Sequence, residues 1–270
     1  MRYFALAFLL LAACGSSAPD PQWPKSPCRT EPFEDARFTI CDPGPGQLRL
    51  VAASSAETPL RSFAELGTRF PVDRVPFAMN AGMFDSDGRP IGLAIVDGVQ
   101  VHAINLRDGG GNFHLKPNGV FVVRHDGSAR ITTSETFEAL PDIALATQSG
   151  PMLVIDGKVY PGFDRDGESR FIRNGVGIAP GGRAMFVISS EVVSFGKLAR
   201  FFRDRLQARN ALYFDGSVSS LWDPANGRMD AGVPLGPMIV AIRPAASAPG
   251  REGRATPLAP GPSPAHRGRG

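Results

Sequence analysis

The segment GLAIVDGVQVHAI, residues 92–104, indicates how the chain folds. Apolar residues alternate on both sides of Asp97 and Gly98, and an Asp-Gly pair between two alternating runs is typical of a tight hairpin turn. The segment VIDGKVY, residues 154–160, repeats the pattern around a second Asp-Gly pair. Two such hairpins require antiparallel strands, because parallel strands need a crossover connection of about a dozen residues or more.

Further short runs rich in Val, Ile and Phe lie between clusters of Gly, Pro, Asn and Asp, which is typical of strands. Helical spacing of apolar residues is confined mostly to residues 59–70 and 195–211. The sequence therefore predicts an α+β domain with a mixed, largely antiparallel β-sheet core and a few flanking helices. The remaining strand-like runs are LRLVAA, FAMN, GVFVV, AMFVIS, ALYFDG and PMIVAI.

The composition divides the chain into one folded domain and two tails. With 270 residues, 43% hydrophobic and 20% charged, the chain can bury a sizeable core, which excludes a wholly disordered protein. Both ends depart from this average. We expect a signal peptide over 1–13, an N-terminal linker over 14–37, one globular domain over 38–243 and a disordered tail rich in Pro, Gly and Arg over 244–270.

The first residues carry an export pattern: Arg2, an apolar run over residues 4–11, and small residues before Cys14. The run is shorter than the ~20 residues that a spanning helix needs. LAAC followed by Gly15 resembles the lipobox of bacterial lipoproteins, in which the cysteine is lipidated. Cleavage without lipidation and an uncleaved anchor are the alternatives. The sequence predicts an exported, membrane-anchored lipoprotein that faces the periplasm or the cell envelope.

The two other cysteines, Cys28 and Cys41, form an even set in an oxidising compartment, where thiols usually pair. We expect a disulfide between them that contributes up to about 3 kcal/mol of stability and takes no part in chemistry.

Charge and histidine content exclude several classes of function. Part of the net charge of +3 comes from the C-terminal tail, and binding of nucleic acid would need basic and aromatic residues on a folded surface. The four histidines form no HExxH motif or other close ligand pair, which argues against a zinc hydrolase. We expect no cofactor. Asp85 and Asp87 of DSDGRP offer oxygen ligands, however, so binding of a divalent cation is the alternative.

Polar, Gly-rich segments follow several predicted strands, where binding sites are usually built. Taken singly they are ordinary turn signals, but their ordered set resembles the signature segments of the phosphodiester glycosidase family over about residues 75–242. Bacterial members of this family are often labelled exopolysaccharide-biosynthesis proteins. The segments are NAGMF, LRDGGGNFHLKPNGVF, ATQSGPMLVIDG, SRFIRNGVGI, VSFGKLARFFRD, ALYFDGSVSSL and PLGPMI.

The resemblance implies a hydrolase that cleaves the glycosidic bond of a sugar 1-phosphodiester or a related envelope glycan. Ordinary glycosidases need two carboxylates. Here the leaving group is a phosphate monoester, which departs as an anion because its second pKa is about 6, so one carboxylate and fixed positive charge suffice. The alternative is a non-catalytic lipoprotein of the same fold that binds glycans or assists polysaccharide assembly.

Three residues form the predicted catalytic set. Asp215 ends an apolar strand and precedes a Gly and several hydroxyl residues, so it is predicted to be the nucleophile or the base for water; a turn-capping Asp is the alternative. Arg173 is predicted to clamp phosphate, with a structural ion pair as the alternative. Asn80 would bind sugar hydroxyls unless it only serves a turn. Glu191 and Asp108 are the acids to test if Asp215 fails.

Substrate binding is assigned to residues in the same segments. Ser149 lacks the preceding glycine of a nucleophile elbow, so it is predicted to bind phosphate together with the amide of Gly150. Arg170 is a weaker second clamp, and the serines after Asp215 would bind phosphate unless they only satisfy their own turn. The full set is Gly82, Ser149, Gly150, Arg170, Asn174, Gly216, Ser217 and Ser219.

Overall fold

The computed structural model describes residues 25–44 and 47–243. The predicted signal peptide, Cys14 with its lipobox and the C-terminal tail lie outside these residues. Within the described part, no helix is long and apolar enough to span a bilayer.

The fold is built mainly from short strands. In chain order these are β1 (Cys28–Phe33), β2 (Ala36–Cys41), β3 (Gln47–Val51), β4 (Ala78–Asn80), β5 (Ala94–Val96), β6 (Val99–His102), β7 (Gly119–Arg124), β8 (Ala129–Thr133), β9 (Ile143–Ser149), β10 (Met152–Ile155), β11 (Lys158–Val159), β12 (Asn174–Ala179), β13 (Arg183–Ser189), β14 (Asn210–Tyr213), β15 (Leu221–Asp223), β16 (Arg228–Met229) and β17 (Met238–Ile242). The helices are α1 (Phe63–Arg69) and α2 (Phe195–Arg200), and α2 continues as a π-helical turn over Phe201–Arg205.

The strands form three sheets. Sheet one has the order β1-β2-β13-β12-β14-β10-β11, sheet two β16-β15-β4-β17-β3, and sheet three β6-β5-β9-β7-β8. Every strand pair of the described residues is antiparallel. The largely antiparallel core is thus confirmed, whereas the mixed sheet is wrong for these residues, and α+β holds only roughly because the chain is mainly β.

Both predicted hairpins form. Asp97 and Gly98 join β5 to β6 with φ of 48° and 80°, and Asp156 joins β10 to β11 with φ of 47°. Positive φ at both turn residues is what a two-residue turn of this type requires, because its twist then matches that of the strands.

The hairpin of β1 and β2 corrects one predicted boundary. Cys28 lies opposite Cys41 in the strand register, and the two are joined by a disulfide. β2 continues the pairing to β13, so this hairpin belongs to sheet one. The linker predicted over 14–37 is therefore too long, since residues 28–37 contribute β1 and the start of β2.

Aromatic side chains fill the core between the three sheets. The ring of Phe186 lies 5.4 Å from that of Phe77 and 5.7 Å from that of Phe121, so residues from all three sheets meet there. A second cluster packs α2 and its π-helical turn against sheet one, where Phe38 and Phe201 stack at 4.1 Å. Aromatic pairs of this kind contribute about 0.5–1.5 kcal/mol each beyond the area they bury.

Candidate active site

Strand ends from all three sheets meet at one rim of the fold. Asn80 ends β4 of sheet two, Ser149 ends β9 of sheet three, and Asn174 begins β12 of sheet one. Asp215 follows β14 by two residues, at the start of the loop that leads to β15. The structure therefore brings together four residues that the sequence assigned to the site.

Asn80 and Asn174 hold the backbone of Asp215 from two sides. The Nδ2 of Asn80 donates to the carbonyl oxygen of Asp215 at 3.2 Å, and the N–H of Asp215 donates to Oδ1 of Asn174 at 3.3 Å. The Nδ2 of Asn174 donates to Oδ1 of Asn80 at 2.7 Å. Both side chains are buried and fixed within the protein. They position Asp215. The sequence had predicted that their amides bind sugar hydroxyls, but in the structure these amides are bonded within the protein.

Hydroxyl groups complete this support. Ser149 is fully buried, and its Oγ donates to the carbonyl oxygen of Phe214 at 2.9 Å. The Oγ of Ser219 lies 3.1 Å from Oδ1 of Asn174 and 3.0 Å from the carbonyl oxygen of Asp215. Both serines are therefore positioned to support the Asp215 loop, and the burial of Ser149 keeps it from a phosphate in this structure.

The Asp215 carboxyl group is partly buried, and no cation of the described residues forms a salt bridge with it. Burial raises the pKa of this carboxyl group, and the hydrogen bond from the N–H of Ser217 to Oδ1, at 3.0 Å, opposes that rise only in part. A carboxylate with a raised pKa is a stronger base, which suits proton transfer in catalysis.

Glu191 and Asp108, the acids to test if Asp215 fails, have pKa values that are lowered and not raised. Hydrogen bonds from Arg37 lower the pKa of Glu191, and a hydrogen bond from Lys116 lowers that of Asp108. Both acids form salt bridges with those exposed cations. Among these three acids of the family-like segments, Asp215 alone has a raised pKa.

Arg173 is buried at 0% exposure, so it does not reach the surface as a phosphate clamp would. Its Nε donates to the carbonyl oxygen of Val193 at 2.9 Å, and its Nη2 donates to the carbonyl oxygen and Oγ of Ser169 at 3.0 and 3.1 Å. The guanidinium carbon lies 3.6 Å from the ring centroid of Phe195. Burial lowers the pKa of Arg173, and no carboxylate of the described chain pairs with it.

Tyr213 connects this buried cation to the Asp215 loop. The Nη1 of Arg173 donates to the Tyr213 hydroxyl at 3.1 Å, and Gly216 lies against the same hydroxyl, since a Cβ at Gly216 would come within 2.0 Å of its oxygen. Burial raises the pKa of Tyr213 to about 12, although Arg173 opposes the rise. The phenol is therefore neutral at physiological pH, and its hydroxyl serves as an acceptor for the buried guanidinium of Arg173.

The glycines of the predicted binding set permit close packing. A Cβ at Gly82 would lie 2.4 Å from the carbonyl oxygen of Gln148, and a Cβ at Gly150 would lie 2.6 Å from the Cβ of Asn118. A Cβ at Gly216 would lie 2.0 Å from the Tyr213 hydroxyl, so a side chain there would displace the phenol.

The last two predicted residues lie at the periphery. Arg170 is exposed, and its Nη2 donates only weakly, at 3.3 Å, to the carbonyl oxygen of Asp166. The side chain of Ser217 is exposed as well, two residues after Asp215. Both side chains remain accessible to a ligand.

The described residues offer no metal centre built from three or more His, Cys, Asp or Glu side chains. Oδ1 of Asp85 accepts the N–H groups of Asp87 and Arg89 at 3.0 and 2.9 Å, so this carboxylate caps its own turn.

A cavity of about 970 Å³ opens at the opposite rim, far along the strands from Asp215. β13 runs from Arg183, which lines this cavity, to Ser189, whose Oγ accepts the N–H of Arg173 at 3.0 Å. No predicted site residue in the described part of the chain lines the cavity. Its cations are paired, as in the 3.2 Å salt bridge of Arg183 with Asp42, so the charge pattern gives it no catalytic character.

Sequence reasoning missed Tyr213, Ser169 and Phe195, which surround Arg173. The signal for Tyr213 was its position two residues before Asp215, since alternate residues of a strand share a face. Ser169 lies four residues before Arg173, but nothing in the sequence indicates that a buried guanidinium needs its oxygens.

Comparisons with known proteins identify the family of this chain. The profile of the phosphodiester glycosidase family (NAGPA) matches residues 73–240. The uncharacterized protein YigE of Escherichia coli K12 is 38% identical over 149 residues, which span 55% of this chain and 58% of YigE. The match thus covers less than two thirds of that relative.

Two solved structures share the fold. The catalytic domain of zebrafish N-acetylglucosamine-1-phosphodiester alpha-N-acetylglucosaminidase superposes with a TM-score of 0.56 at 16% identity, over 80% of this chain and 81% of that one. A hypothetical protein from Synechocystis superposes with a TM-score of 0.51 at 15% identity, over 80% of this chain and 61% of that one. Because the family profile covers more than half of the chain, this protein belongs to the phosphodiester glycosidase family.

Proposed function

We propose that this protein is an envelope hydrolase that cleaves the glycosidic bond of a sugar 1-phosphodiester. The observation that carries the proposal is the Asp215 carboxyl group. It is partly buried, has a raised pKa and forms no salt bridge with a described residue, on a loop anchored by Asn80, Ser149 and Asn174. Anchoring from three sheets is the rigid support that a catalytic group needs.

In the proposed reaction, the bond between the anomeric carbon and the phosphate oxygen breaks, and the phosphate monoester leaves with the electron pair. Asp215 either takes a proton from the attacking water or attacks the anomeric carbon itself before water releases the sugar. The products are the free sugar and a phosphate monoester. The leaving oxygen needs no strong acid because the phosphate departs as an anion.

Arg173 contributes to this chemistry from below the surface. Its positive charge has no carboxylate partner among the described residues, so its field acts on the developing negative charge of the leaving phosphate. It also polarises the Tyr213 hydroxyl through the 3.1 Å hydrogen bond from Nη1. Tyr213 is itself only 1% exposed, so it also acts without touching the phosphate: it links Arg173 to the Asp215 loop, in place of the direct clamp predicted from sequence.

The name of the zebrafish relative supplies the first substrate to test. We would incubate the purified full chain with the methyl phosphodiester of N-acetylglucosamine 1-phosphate, alongside glucose and galactose counterparts and teichoic-acid-like polymers. Release of free sugar and a phosphate monoester from one of them would support the proposal. Absence of release from the whole panel would contradict it.

A non-catalytic glycan-binding or assembly protein is the second candidate. It is favoured by one observation: the described cavity of about 970 Å³ lies at the rim opposite Asp215, and none of the predicted site residues lines it. Binding of a panel member without any release of sugar would select this candidate.

The location and cofactor requirements are also proposals. We propose that the protein is exported and anchored in the membrane through lipid on Cys14, and that it acts without a cofactor or nucleic-acid partner. Labelled palmitate should enter the wild type and not Cys14→Ala, and an unlabelled wild type would refute the anchor. Turnover should survive a chelator; its loss, restored by added Mg²⁺ or Ca²⁺, would show that a divalent cation takes part.

A further inference from the structure

Phe171 is an exposed aromatic side chain beside the candidate site. Its exposed fraction is 49%, and among the large exposed hydrophobic residues of the described chain it is the only aromatic one. Single exposed apolar side chains are common on protein surfaces, so exposure alone assigns no role to this ring. What distinguishes Phe171 is that its ring lies beside the buried guanidinium of Arg173, 5.3 Å from its carbon.

The backbone of Phe171 is fixed. Its N–H donates to the carbonyl oxygen of Val193 at 3.3 Å, and the N–H of Val193 donates back to its carbonyl oxygen at 2.8 Å. The same Val193 oxygen accepts Nε of Arg173 at 2.9 Å. The ring is thus held on a rigid support before any ligand arrives, which lowers the entropy lost on binding.

The ring of Phe171 and the Asp215 loop flank the same guanidinium group. The guanidinium carbon of Arg173 lies 5.3 Å from the ring centroid of Phe171 and 5.3 Å from that of Tyr213. The Tyr213 hydroxyl lies against Gly216, the residue after Asp215, since a Cβ at Gly216 would come within 2.0 Å of that oxygen. One buried cation therefore separates an exposed aromatic ring from the carboxylate loop.

We propose that Phe171 is the platform on which the sugar ring of the substrate rests. This inference depends on the proposed function and extends it to the sugar-binding residue. The face of an aromatic ring carries partial negative charge, which attracts the polarised C–H groups on one face of a pyranose. The sugar would then lie over Phe171, with its phosphate toward Tyr213 and its anomeric carbon toward Asp215.

Val192 provides a matched control for this role. It is 57% exposed, also apolar, and adjacent in sequence to the Val193 that pairs with Phe171, but it makes no described contact with Arg173. Val192→Ala should keep the melting temperature of the full chain. Phe171→Ala removes a ring from beside the Arg173 guanidinium, so the melting temperatures of both variants are measured first and binding is compared at a temperature where both are folded.

The experiment measures binding by calorimetry in an Asp215→Asn background, with the methyl phosphodiester of N-acetylglucosamine 1-phosphate and its glucose and galactose counterparts. Phe171→Ala should raise the Kd of the bound probe about tenfold, as expected for losing an aromatic contact. Phe171→Trp should restore affinity to within about threefold, whereas Val192→Ala should leave it unchanged.

The outcomes separate this inference from the proposed function. Unchanged affinity in Phe171→Ala would overturn the inference alone. Binding that depends on Phe171, combined with no turnover by the wild type, would overturn the hydrolase and keep Phe171 as a sugar-binding residue. Binding of none of the three probes would overturn the inference, and the proposed function would fall with it only if the polymers of the panel also released no sugar.

Discussion

The side-chain amide of Asn174 donates a 2.7 Å hydrogen bond to Oδ1 of Asn80, and this bond joins sheet one to sheet two directly beneath Asp215. The two residues are 94 positions apart in the chain. Through their remaining atoms they fix both the N–H and the carbonyl oxygen of Asp215. The geometry of the carboxylate thus depends on a buried polar pair.

Replacing Asn174 by Ala should impair both folding and turnover. It leaves Oδ1 of Asn80 and the N–H of Asp215 short of a partner, which should cost about 1–3 kcal/mol for a buried group. The melting temperature should fall by about 2–4 °C per kcal/mol. Calorimetry and kcat on the active substrate check the two effects.

Asn210 at the other end of β14 is the matched control. Its side chain accepts the N–H of Asp156 at 2.9 Å and donates to the carbonyl oxygen of Ile131 at 3.1 Å, away from Asp215. Asn210→Ala should lower the melting temperature and leave kcat intact. Equal loss of kcat in both variants would contradict a positioning role for Asn174.

Tyr213→Phe should lower both the stability of the protein and its activity, while Arg173 itself stays in place. The variant keeps the ring but removes the hydroxyl, so Nη1 of Arg173 loses an acceptor, at a cost of about 1–3 kcal/mol in stability. Because the buried hydroxyl accepts Nη1 of Arg173 and lies against Gly216, next to Asp215, its loss should also disturb the Asp215 loop and lower kcat/KM by about one to two decades. Wild-type kcat/KM in a folded Tyr213→Phe protein would rule out this hydroxyl.

Arg173→Ala should be the more damaging change. The side chain is fully buried and makes hydrogen bonds to Val193, Ser169 and Tyr213. Deleting it leaves a cavity and unpaired acceptors, which should destabilise the fold by about 2–4 kcal/mol. Chemical denaturation measures this loss, and a change below about 0.5 kcal/mol would show that Arg173 is not buried as described.

Asp215 should make stability depend on pH in an unusual direction for a carboxyl group. Burial raises its pKa in the folded state, so the folded protein holds the proton at pH values where the unfolded chain has released it. Its contribution to stability is therefore largest below the unfolded pKa, declines as pH rises toward the raised folded pKa, and is lowest above that value.

Asp215→Asn should accordingly melt higher than the wild type at pH 7, because the uncharged amide avoids the desolvation of the carboxylate. The difference should shrink as pH falls through the unfolded pKa. Melting curves of both proteins across this range test the sign, and a wild type more stable than the variant at pH 7 would contradict it.

The disulfide should stabilise the fold without serving the site. Cys28 and Cys41 lie toward the rim opposite Asp215, since Cys41 pairs with Phe186, while Phe38 pairs with Ser189 at the site end. The double variant Cys28→Ser and Cys41→Ser should lose up to about 3 kcal/mol of stability. Turnover below the melting temperature should stay at the wild-type level, and a parallel loss of kcat would link this rim to the site.

Local patterns explain which parts of the fold were predictable. The two Asp-Gly hairpins follow from residues adjacent in sequence, and so does the antiparallel pairing. β1 was missed because CRTEPF lacks the alternation of a half-buried strand, and only its pairing with β2 places it in the sheet. Chain segments that are ordered by distant partners leave little trace in a single sequence.

The sequence was enough to predict which residues form the candidate site, but not what each of them does there. Asp215, Asn80, Ser149 and Asn174 were identified from segments at strand ends, and they meet in the structure. Their roles depend on burial, however, and arginines are rarely buried, so a direct phosphate contact was the natural prediction for Arg173. Only the packing of Phe195, Ser169 and Tyr213 around it shows that the guanidinium is buried.

The central claim is that the Asp215 carboxylate carries the hydrolysis of a sugar 1-phosphodiester. Its most direct test is single-turnover kinetics of Asp215→Asn on the substrate identified by the wild type, with folding checked by circular dichroism. The amide retains the shape and the hydrogen bond from Ser217, so we expect a folded variant that binds substrate and shows no measurable turnover. Turnover within about threefold of the wild type, a difference of less than 1 kcal/mol in the barrier, would contradict the assignment.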